Sequence, residues 1–154
     1  MQEFEKKNEN KIDIYKNYKN KGSGVIVVTN DNLVALQHRD DVEGVSYRNM
    51  IGLFGGGYED VDSSFEMTAL REIEEELSIK IKEKDLELLM VYDIPSISKV
   101  RKTYVIRGIN KSNLFIKEGQ GIIFVKDKKE LKDLNLIPET SFILEYYFTH
   151  FKKD

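Results

Sequence analysis

The chain contains no cysteine, and this absence excludes several kinds of chemistry. Without a thiol there is no disulfide framework, no thiolate nucleophile and no cysteine-based zinc or iron–sulfur site. Prolines are also scarce, since only Pro95 and Pro138 occur, and no linker rich in proline, glycine or serine divides the chain. For a chain of 154 residues this predicts one principal domain.

Strong net charge and long apolar runs are missing as well. The net charge of −3 argues against general nucleic-acid or membrane binding, since those partners favour a strongly basic surface. No segment approaches the roughly 20 apolar residues of a membrane span, and residues 1–21 lack the apolar core of a signal peptide. We therefore expect a soluble cytoplasmic protein with an N-terminal extension at 1–21 and a single domain at 22–154.

Short apolar runs separated by turn residues predict five strands. They lie at residues 24–29, 33–38, 86–92, 102–109 and 121–125. Turn chemistry at residues 29–32 predicts a hairpin between the first two strands. Helical patterns lie at residues 64–77, 128–134 and 140–152. A mixed sheet between helices, an α/β sandwich, is the fold that this order predicts.

The first predicted helix has an apolar stripe of Leu70, Ile73 and Leu77 opposite its acidic residues. Ser63 and Ser64 are both suited to cap its N-terminus. Ser63 together with Glu66 also matches a capping box, which would give Ser63 a role at the start of the helix.

Carboxylates crowd the second half of this helix, at Glu72, Glu74, Glu75 and Glu76. Positions three and four apart share a helix face, so Glu72, Glu75 and Glu76 project toward one another and repel. A bound divalent cation would relieve that repulsion. A solvated acidic face is the ordinary explanation of such a run. The glycine-rich loop expected at residues 55–57 favours a metal site instead, because a bare backbone can approach phosphate.

The segment 57–79 resembles the signature box of the Nudix hydrolases, G-x5-E-x7-R-E-U-x-E-E-x-G-U, in which U is a bulky aliphatic residue. The matching positions are Gly57, Arg71, Glu72, Ile73, Glu75, Glu76 and Ile79. Two positions depart from the pattern, because Ser63 replaces the first glutamate and Ser78 the closing glycine. A positive φ at Ser78 would carry a Cβ penalty. The resemblance implies the Nudix α/β/α sandwich, with a mixed β-sheet between helices.

The resemblance also implies a magnesium site, at which manganese is an alternative ion. It implies Glu75 and Glu76 as central ligands, and Glu72 either as a ligand or as the proton acceptor for the attacking water. Glu118 is implied as a further ligand from a loop across the cleft, although by itself it is equally a turn carrying an exposed acid. Arg71 is implied as a buried orienting residue that, lacking the glutamate at position 63, relies on other partners. The alternative for Arg71 is an exposed ion pair with Glu75.

Substrate contacts are implied for the backbone of Gly56 and Gly57, and for Arg39 after the second predicted strand. Further basic candidates, each individually more typical of a solvated surface, are Lys99, Arg101 and Lys102. Aromatic candidates for stacking on a base, although most aromatics are packing residues, are Tyr47, Tyr58, Tyr92 and Tyr104.

Together these residues predict a Mg²⁺-dependent pyrophosphohydrolase that cleaves a nucleoside diphosphate linked to another moiety X. The sequence does not choose among ADP-ribose, nucleotide sugars, nucleoside triphosphates, oxidised nucleotides and dinucleoside polyphosphates as the substrate. Pro95 slightly favours ADP-ribose, because some family members that hydrolyse it have a proline about this far beyond the box. The alternative is a catalytically weak or inactive Nudix-fold module that binds a nucleotide, against which the intact acidic cluster argues. The expected partner is a small-molecule nucleotide. Homodimers are common in the family, and nothing in the sequence demonstrates one.

Overall fold

A computed structural model describes residues 14–154. Residues 1–13, most of the predicted N-terminal extension, lie outside the described residues. At the start of the described chain, Tyr15 and Tyr18 pack edge to face, with 5.4 Å between ring centroids. Both rings pack against a core cluster of the domain, so this part of the predicted extension lies against the sheet that follows.

Seven strands form one mixed sheet in this described part of the chain. Their bounds are β1 Asn20–Thr29, β2 Val34–His38, β3 Ile51–Gly52, β4 Phe54–Gly57, β5 Glu87–Ile94, β6 Lys99–Ile109 and β7 Gly121–Val125. The order is β3-β2-β1-β6-β5, with β4 paired to β1 and β7 paired to β2. β1 and β6 are parallel, and the other pairs are antiparallel.

All five predicted strands occur, and the predicted hairpin is confirmed by the antiparallel pairing of β1 with β2. The prediction of a glycine-rich loop at residues 55–57 is wrong, because these glycines belong to β4. Glycine weakens strands in isolation. Here the backbone hydrogen bonds to β1, with Gly57 opposite Gly22 and Gly56 opposite Ser23, maintain the extended conformation.

The first long helix, α1, spans Phe65–Leu77. Its N-cap is Ser64, whose Oγ accepts a hydrogen bond from the backbone N–H of Met67 at 3.1 Å. The predicted capping role of Ser63 is therefore wrong, and the Glu66 carboxylate accepts from the Tyr104 hydroxyl instead. The helix ends at Ser78, which adopts φ 60° in the left-handed region that favours glycine.

The buried face of α1 differs from the predicted stripe. Ile73 and Leu77 are fully buried, but Leu70 is partly exposed, and Phe65 and Ala69 complete the face instead. These four residues recur every fourth position and pack against one side of the sheet. Burial of each large apolar side chain stabilises the fold by roughly 1.5–3 kcal/mol.

The second helix, α2, spans Pro138–Tyr146 and continues into a wider π-helical turn at Tyr147–Phe151. Ile143, Leu144 and Tyr147 pack against the other side of the sheet, so the sheet lies between two helical layers as predicted. The helix predicted at residues 128–134 is a short 3₁₀ helix, Lys128–Asp133. No helix within the described range has the length and apolar character needed to cross a membrane.

Candidate active site

A cavity of about 420 Å³ opens where β4, α1 and the first turn of α2 meet. Glu72 and Glu76 reach it from α1, and Glu118 reaches it from the loop before β7. Gly55, Gly56 and Gly57 form part of its wall. The fold thus brings three of the four predicted carboxylates and the glycine backbone to one cavity.

Glu76 is the most buried carboxylate of the cavity, with 4% of its surface exposed. Its Oε1 accepts a hydrogen bond from the Gly55 N–H at 2.7 Å, and its Oε2 accepts from Gln37 Nε2 at 3.0 Å. Burial above all, together with the charges of Glu72 and Glu118, raises the pKa of Glu76 to about 8. The hydrogen bonds from Gly55 and Gln37 act on this pKa in the opposite direction. A cation bound beside Glu76 would offset the cost of this buried charge.

Glu72 lies directly over Gly56. A Cβ at position 56 would come within 2.4 Å of Glu72 Oε1, so only glycine leaves room for this carboxylate. Burial raises the pKa of Glu72, and the hydrogen bond from Arg71 opposes that rise. The absence of a side chain at position 56 therefore places the second carboxylate against the strand.

The loop that carries Glu118 is fixed to α1 and to β2. The N–H of Lys117 donates to the carbonyl of Glu76 at 2.9 Å, and the N–H of Gln120 donates to the carbonyl of His38 at 2.7 Å. Gln37 Nε2 also donates to the Glu118 carbonyl at 3.2 Å. The same glutamine therefore holds both Glu76 and the Glu118 loop.

Glu75 lies outside this cavity lining, with 53% of its side chain exposed and an Arg71 nitrogen 3.3 Å from its Oε2. In residues 14–154 no three acidic or histidine side chains are arranged as a ready-made metal site. The donor set still fits magnesium, which prefers carboxylate oxygens and keeps several of its waters. The buried Glu76 and the space that Gly56 leaves for Glu72 fit such an ion.

Arg71 is partly buried, with 18% of its side chain exposed, and several hydrogen bonds hold its guanidinium. Its main partner is Asp62, which accepts from Nε at 3.1 Å and from Nη2 at 2.9 Å. Arg71 also donates to Glu72 at 3.0 Å and to the Gly57 carbonyl at 2.9 Å. Asp62 therefore supplies, one residue earlier, the carboxylate that is missing at Ser63.

Asp62 is itself buried, and it also accepts from the Thr68 hydroxyl and the Glu59 N–H. The hydrogen bonds from Arg71 lower the pKa of Asp62 from 3.8 to about 2. We expect Asp62→Asn to lower the free energy of unfolding at neutral pH by on the order of 1–3 kcal/mol, because Arg71 loses its charged partner.

The pH dependence of that difference has a definite sign. A depressed pKa means that the Asp62 carboxylate stabilises the fold above pH 3.8, and that this contribution is lost as the pH falls toward about 2. The free energies of unfolding of wild type and Asp62→Asn, measured with urea across this pH range, should therefore converge as the pH falls. Asp60→Asn, in the same turn but exposed, is the control. Equal unfolding midpoints for both variants at neutral pH would contradict the role of Asp62.

Of the predicted substrate contacts, Arg39, Gly56 and Gly57 all line the cavity. Arg39 follows β2, and its guanidinium donates to the carbonyl of Ser46 at 2.8 Å and to the Ser46 hydroxyl at 3.2 Å. Arg39 thus also fixes the loop that brings Tyr47 to the cavity. Tyr47 adopts φ 50°, an uncommon conformation for a bulky residue.

The remaining candidates divide between the two sides of the sheet. The cavity is lined by Tyr47, Tyr92, Lys99 and Arg101. Lys102 points away from it, is 4% exposed and lies 4.9 Å over the Phe65 ring. Tyr58 packs on Phe65 and Tyr104 is buried in the core, so neither aromatic lines this cavity. Pro95 does not line it either.

The sequence prediction missed two residues that hold the site together, Asp62 and Gln37. Asp62 has a weak signal, an acid one position before the box glutamate. The signal for Gln37 is also weak: it is a polar residue within the apolar run of β2. Neither signal identifies a partner, because Gln37 meets Glu76 only after β2 and α1 pack together.

Comparison with solved structures shows the same fold in three bacterial proteins. A NUDIX hydrolase from Nitrosomonas europaea has a TM-score of 0.68 and 22% identity, over 86% of this chain and 71% of that one. A MutT/nudix family protein from Enterococcus faecalis has a TM-score of 0.57 and 22% identity, over 68% of this chain and 42% of that one.

The third structure, a bifunctional NMN adenylyltransferase/ADP ribose pyrophosphatase from Francisella tularensis, was determined with AMP and a Mn ion. It has a TM-score of 0.65 and 15% identity, over 92% of this chain and 46% of that one. This chain therefore spans less than half the length of two of the three proteins. A search of curated protein sequences found no match.

The family model for the NUDIX domain matches residues 19–152, which is most of the chain. The match includes all the residues that line the cavity, from Ser23 to Ile143. The chain therefore belongs to the Nudix family.

Proposed function

We propose that this protein is a Mg²⁺-dependent pyrophosphohydrolase acting on a nucleoside diphosphate linked to another moiety X. The observation that carries the proposal is the convergence of Glu72, Glu76 and Glu118 on one cavity beside the glycine backbone of β4. Carboxylates hold a divalent ion, and a bare backbone accepts phosphate at close range. The two together suit a diphosphate.

Glu76 and Glu118 would hold the ion, together with the more exposed Glu75. Glu72 adds a third carboxylate, either as a ligand or as the proton acceptor for the attacking water, and both roles need it against Gly56. A bound divalent ion supplies charge neutralisation of the diphosphate and a lower pKa for the attacking water. Arg71 orients Glu72, while Asp62 fixes Arg71. Positioning and charge neutralisation then supply most of the rate.

The rest of the cavity suits the nucleoside. Its wall combines the rings of Tyr47 and Tyr92 with the apolar side chains of Leu53 and Ile137. A volume of about 420 Å³ is typical of small-ligand sites. The Francisella tularensis structure, determined with AMP and Mn, supports a nucleotide substrate and manganese as an alternative ion.

The test is hydrolysis of a substrate panel by the purified protein with and without Mg²⁺. The panel comprises ADP-ribose, a nucleotide sugar and nucleoside triphosphates, and the products are resolved by anion-exchange chromatography. We expect cleavage of at least one compound to a nucleoside monophosphate, and its loss when the ion is chelated. Nucleotide binding without turnover of any compound would replace the hydrolase proposal by the inactive binding module.

A further inference from the structure

Arg101 crosses the backbone of β1 at a glycine. Gly22 lies in register between Gly57 of β4 and Arg101 of β6. A Cβ at Gly22 would lie 3.0 Å from Arg101 Nε and 2.7 Å from the Gly56 carbonyl oxygen. The bare backbone of Gly22 therefore lets the guanidinium lie beside Gly56.

Two neighbouring glycines, Gly56 and Gly22, thus lie in contact with side chains of opposite charge. The Glu72 carboxylate lies over Gly56, and the Arg101 guanidinium lies over the neighbouring Gly22. Both side chains line the cavity. Gly56 is paired with Ser23, which faces α1, whereas Gly22 and Arg101 occupy the alternate positions and face the α2 side. The two charges therefore reach the cavity from opposite sides of the sheet.

Arg101 forms no direct ion pair with a carboxylate among residues 14–154, although the charge of Glu139 acts on it from a distance. Its guanidinium donates to the carbonyls of Asn20 and Val100, both at 2.9 Å, and to Asn20 Oδ1 at 2.7 Å. These bonds fix its orientation without neutralising it. Lys99, by contrast, is paired with the Glu139 carboxylate. Burial lowers the pKa of Arg101, which shows the cost of placing this cation in the cavity wall.

We propose that Arg101 binds one phosphate group of the substrate diphosphate, in the cavity that Glu72, Glu76 and Glu118 also line. A phosphate there supplies an anion in direct contact with the guanidinium, which the described residues do not. A planar guanidinium donates to a phosphate through two nitrogens. This assignment deepens the proposed function and rests on it. It makes Arg101 a determinant of substrate affinity.

The test uses methylenediphosphonate, a diphosphate surrogate without a nucleoside or a cleavable bridge. Its binding in Mg²⁺ is measured by calorimetry, and KM and kcat are measured with the best substrate of the panel. Loss of a charged hydrogen-bonding partner predicts tenfold to a hundredfold weaker binding by Arg101→Gln, with a matching rise in KM. Arg101→Lys keeps the charge but loses the planar guanidinium. Its affinity for methylenediphosphonate should lie between those of wild type and Arg101→Gln.

The matched control is Arg48→Gln, which changes an exposed arginine that pairs with Asp41 and does not line the cavity. Its affinity for methylenediphosphonate should change less than threefold. Asn20→Ala tests the assignment even if Arg101→Gln does not fold, because it keeps Arg101 and removes only the hydrogen bond to Asn20 Oδ1. We expect it to weaken binding in the same direction, by a smaller factor.

The outcomes separate this assignment from the proposed function. Unchanged surrogate binding and KM in Arg101→Gln, with an active wild-type protein, overturn the Arg101 assignment alone. A wild-type protein that hydrolyses nothing, yet binds the surrogate through Arg101, overturns the hydrolase proposal alone. A wild-type protein that neither hydrolyses the panel nor binds the surrogate overturns both.

Discussion

The Glu76→Gln variant is expected to lose about a thousandfold of its Mg²⁺-dependent turnover, which corresponds to roughly 4 kcal/mol of transition-state stabilisation. Glu76 is the carboxylate enclosed most completely by the cavity wall, and it receives hydrogen bonds from Gly55 and Gln37. Glutamine keeps its shape and one acceptor oxygen but removes the charge that would hold the ion. Initial rates at saturating Mg²⁺ measure the loss.

The matched control is Glu74→Gln, in the same acidic run of α1. Glu74 has 53% of its side chain exposed and lies only 3.8 Å from the surface residue Lys80. Its turnover should stay within twofold of the wild-type rate. Thermal unfolding gives an independent readout, since an ion that binds only the folded protein raises its melting temperature. Mg²⁺ should raise this temperature for wild type and Glu74→Gln, and much less for Glu76→Gln. Near-normal turnover of Glu76→Gln would remove Glu76 from the site.

The Gly56→Ala variant is expected to lose about a hundredfold of turnover with little loss of stability. The new Cβ would lie 2.4 Å from Glu72 Oε1 and 2.5 Å from its Cδ, so the carboxylate must shift by about 1 Å. A misplacement of that size at a reacting group can cost about a hundredfold in rate. Because the colliding atoms end a flexible side chain, the backbone need not move.

Two other glycines make this prediction specific. Gly121→Ala is the control, because an added Cβ meets nothing within 4 Å, and its turnover and melting temperature should stay near the wild-type values. Gly55 has φ 138°, and a Cβ there would lie 2.2 Å from the Ser23 carbonyl oxygen. Gly55→Ala should therefore destabilise the fold itself. A Gly56→Ala protein with turnover within threefold of wild type would show that the position of Glu72 is not critical.

The Gly56→Ala variant also separates catalysis from simple nucleotide binding. A binding module needs its phosphate contacts but does not need Glu72 in a defined position. If Gly56→Ala binds a nucleotide as tightly as wild type while its turnover falls, the described geometry serves the reaction. If affinity falls and no turnover exists in either protein, the binding module is the better explanation.

Local sequence was sufficient for much of the fold. Apolar runs predicted five strands, and 3.6-residue periodicity with a serine cap predicted α1 to within one residue of its start. The same rules missed β3 and β4, because glycine-rich segments have no strand propensity of their own. They also placed Leu70 in the core, where it is only partly buried. The width and direction of the buried face depend on the sheet against which α1 packs, and periodicity alone does not give them.

The candidate site shows the same division. The spacing of Arg71, Glu72, Glu75 and Glu76 marks the site in the sequence, since residues on one helix have fixed relative positions. It does not show that Glu76 is enclosed and Glu75 exposed. That difference arises because only one of the two faces β4 and the Glu118 loop.

By itself, the sequence determined the family pattern and the acidic helix, because both depend on neighbours within a few positions. Only the tertiary structure decided which groups meet across the chain. It joined Arg71 to Asp62 instead of Ser63, Glu76 to Gln37, and Arg101 to the bare backbone of Gly22 beside Gly56. These contacts depend on strand register and helix packing, which a local pattern does not encode.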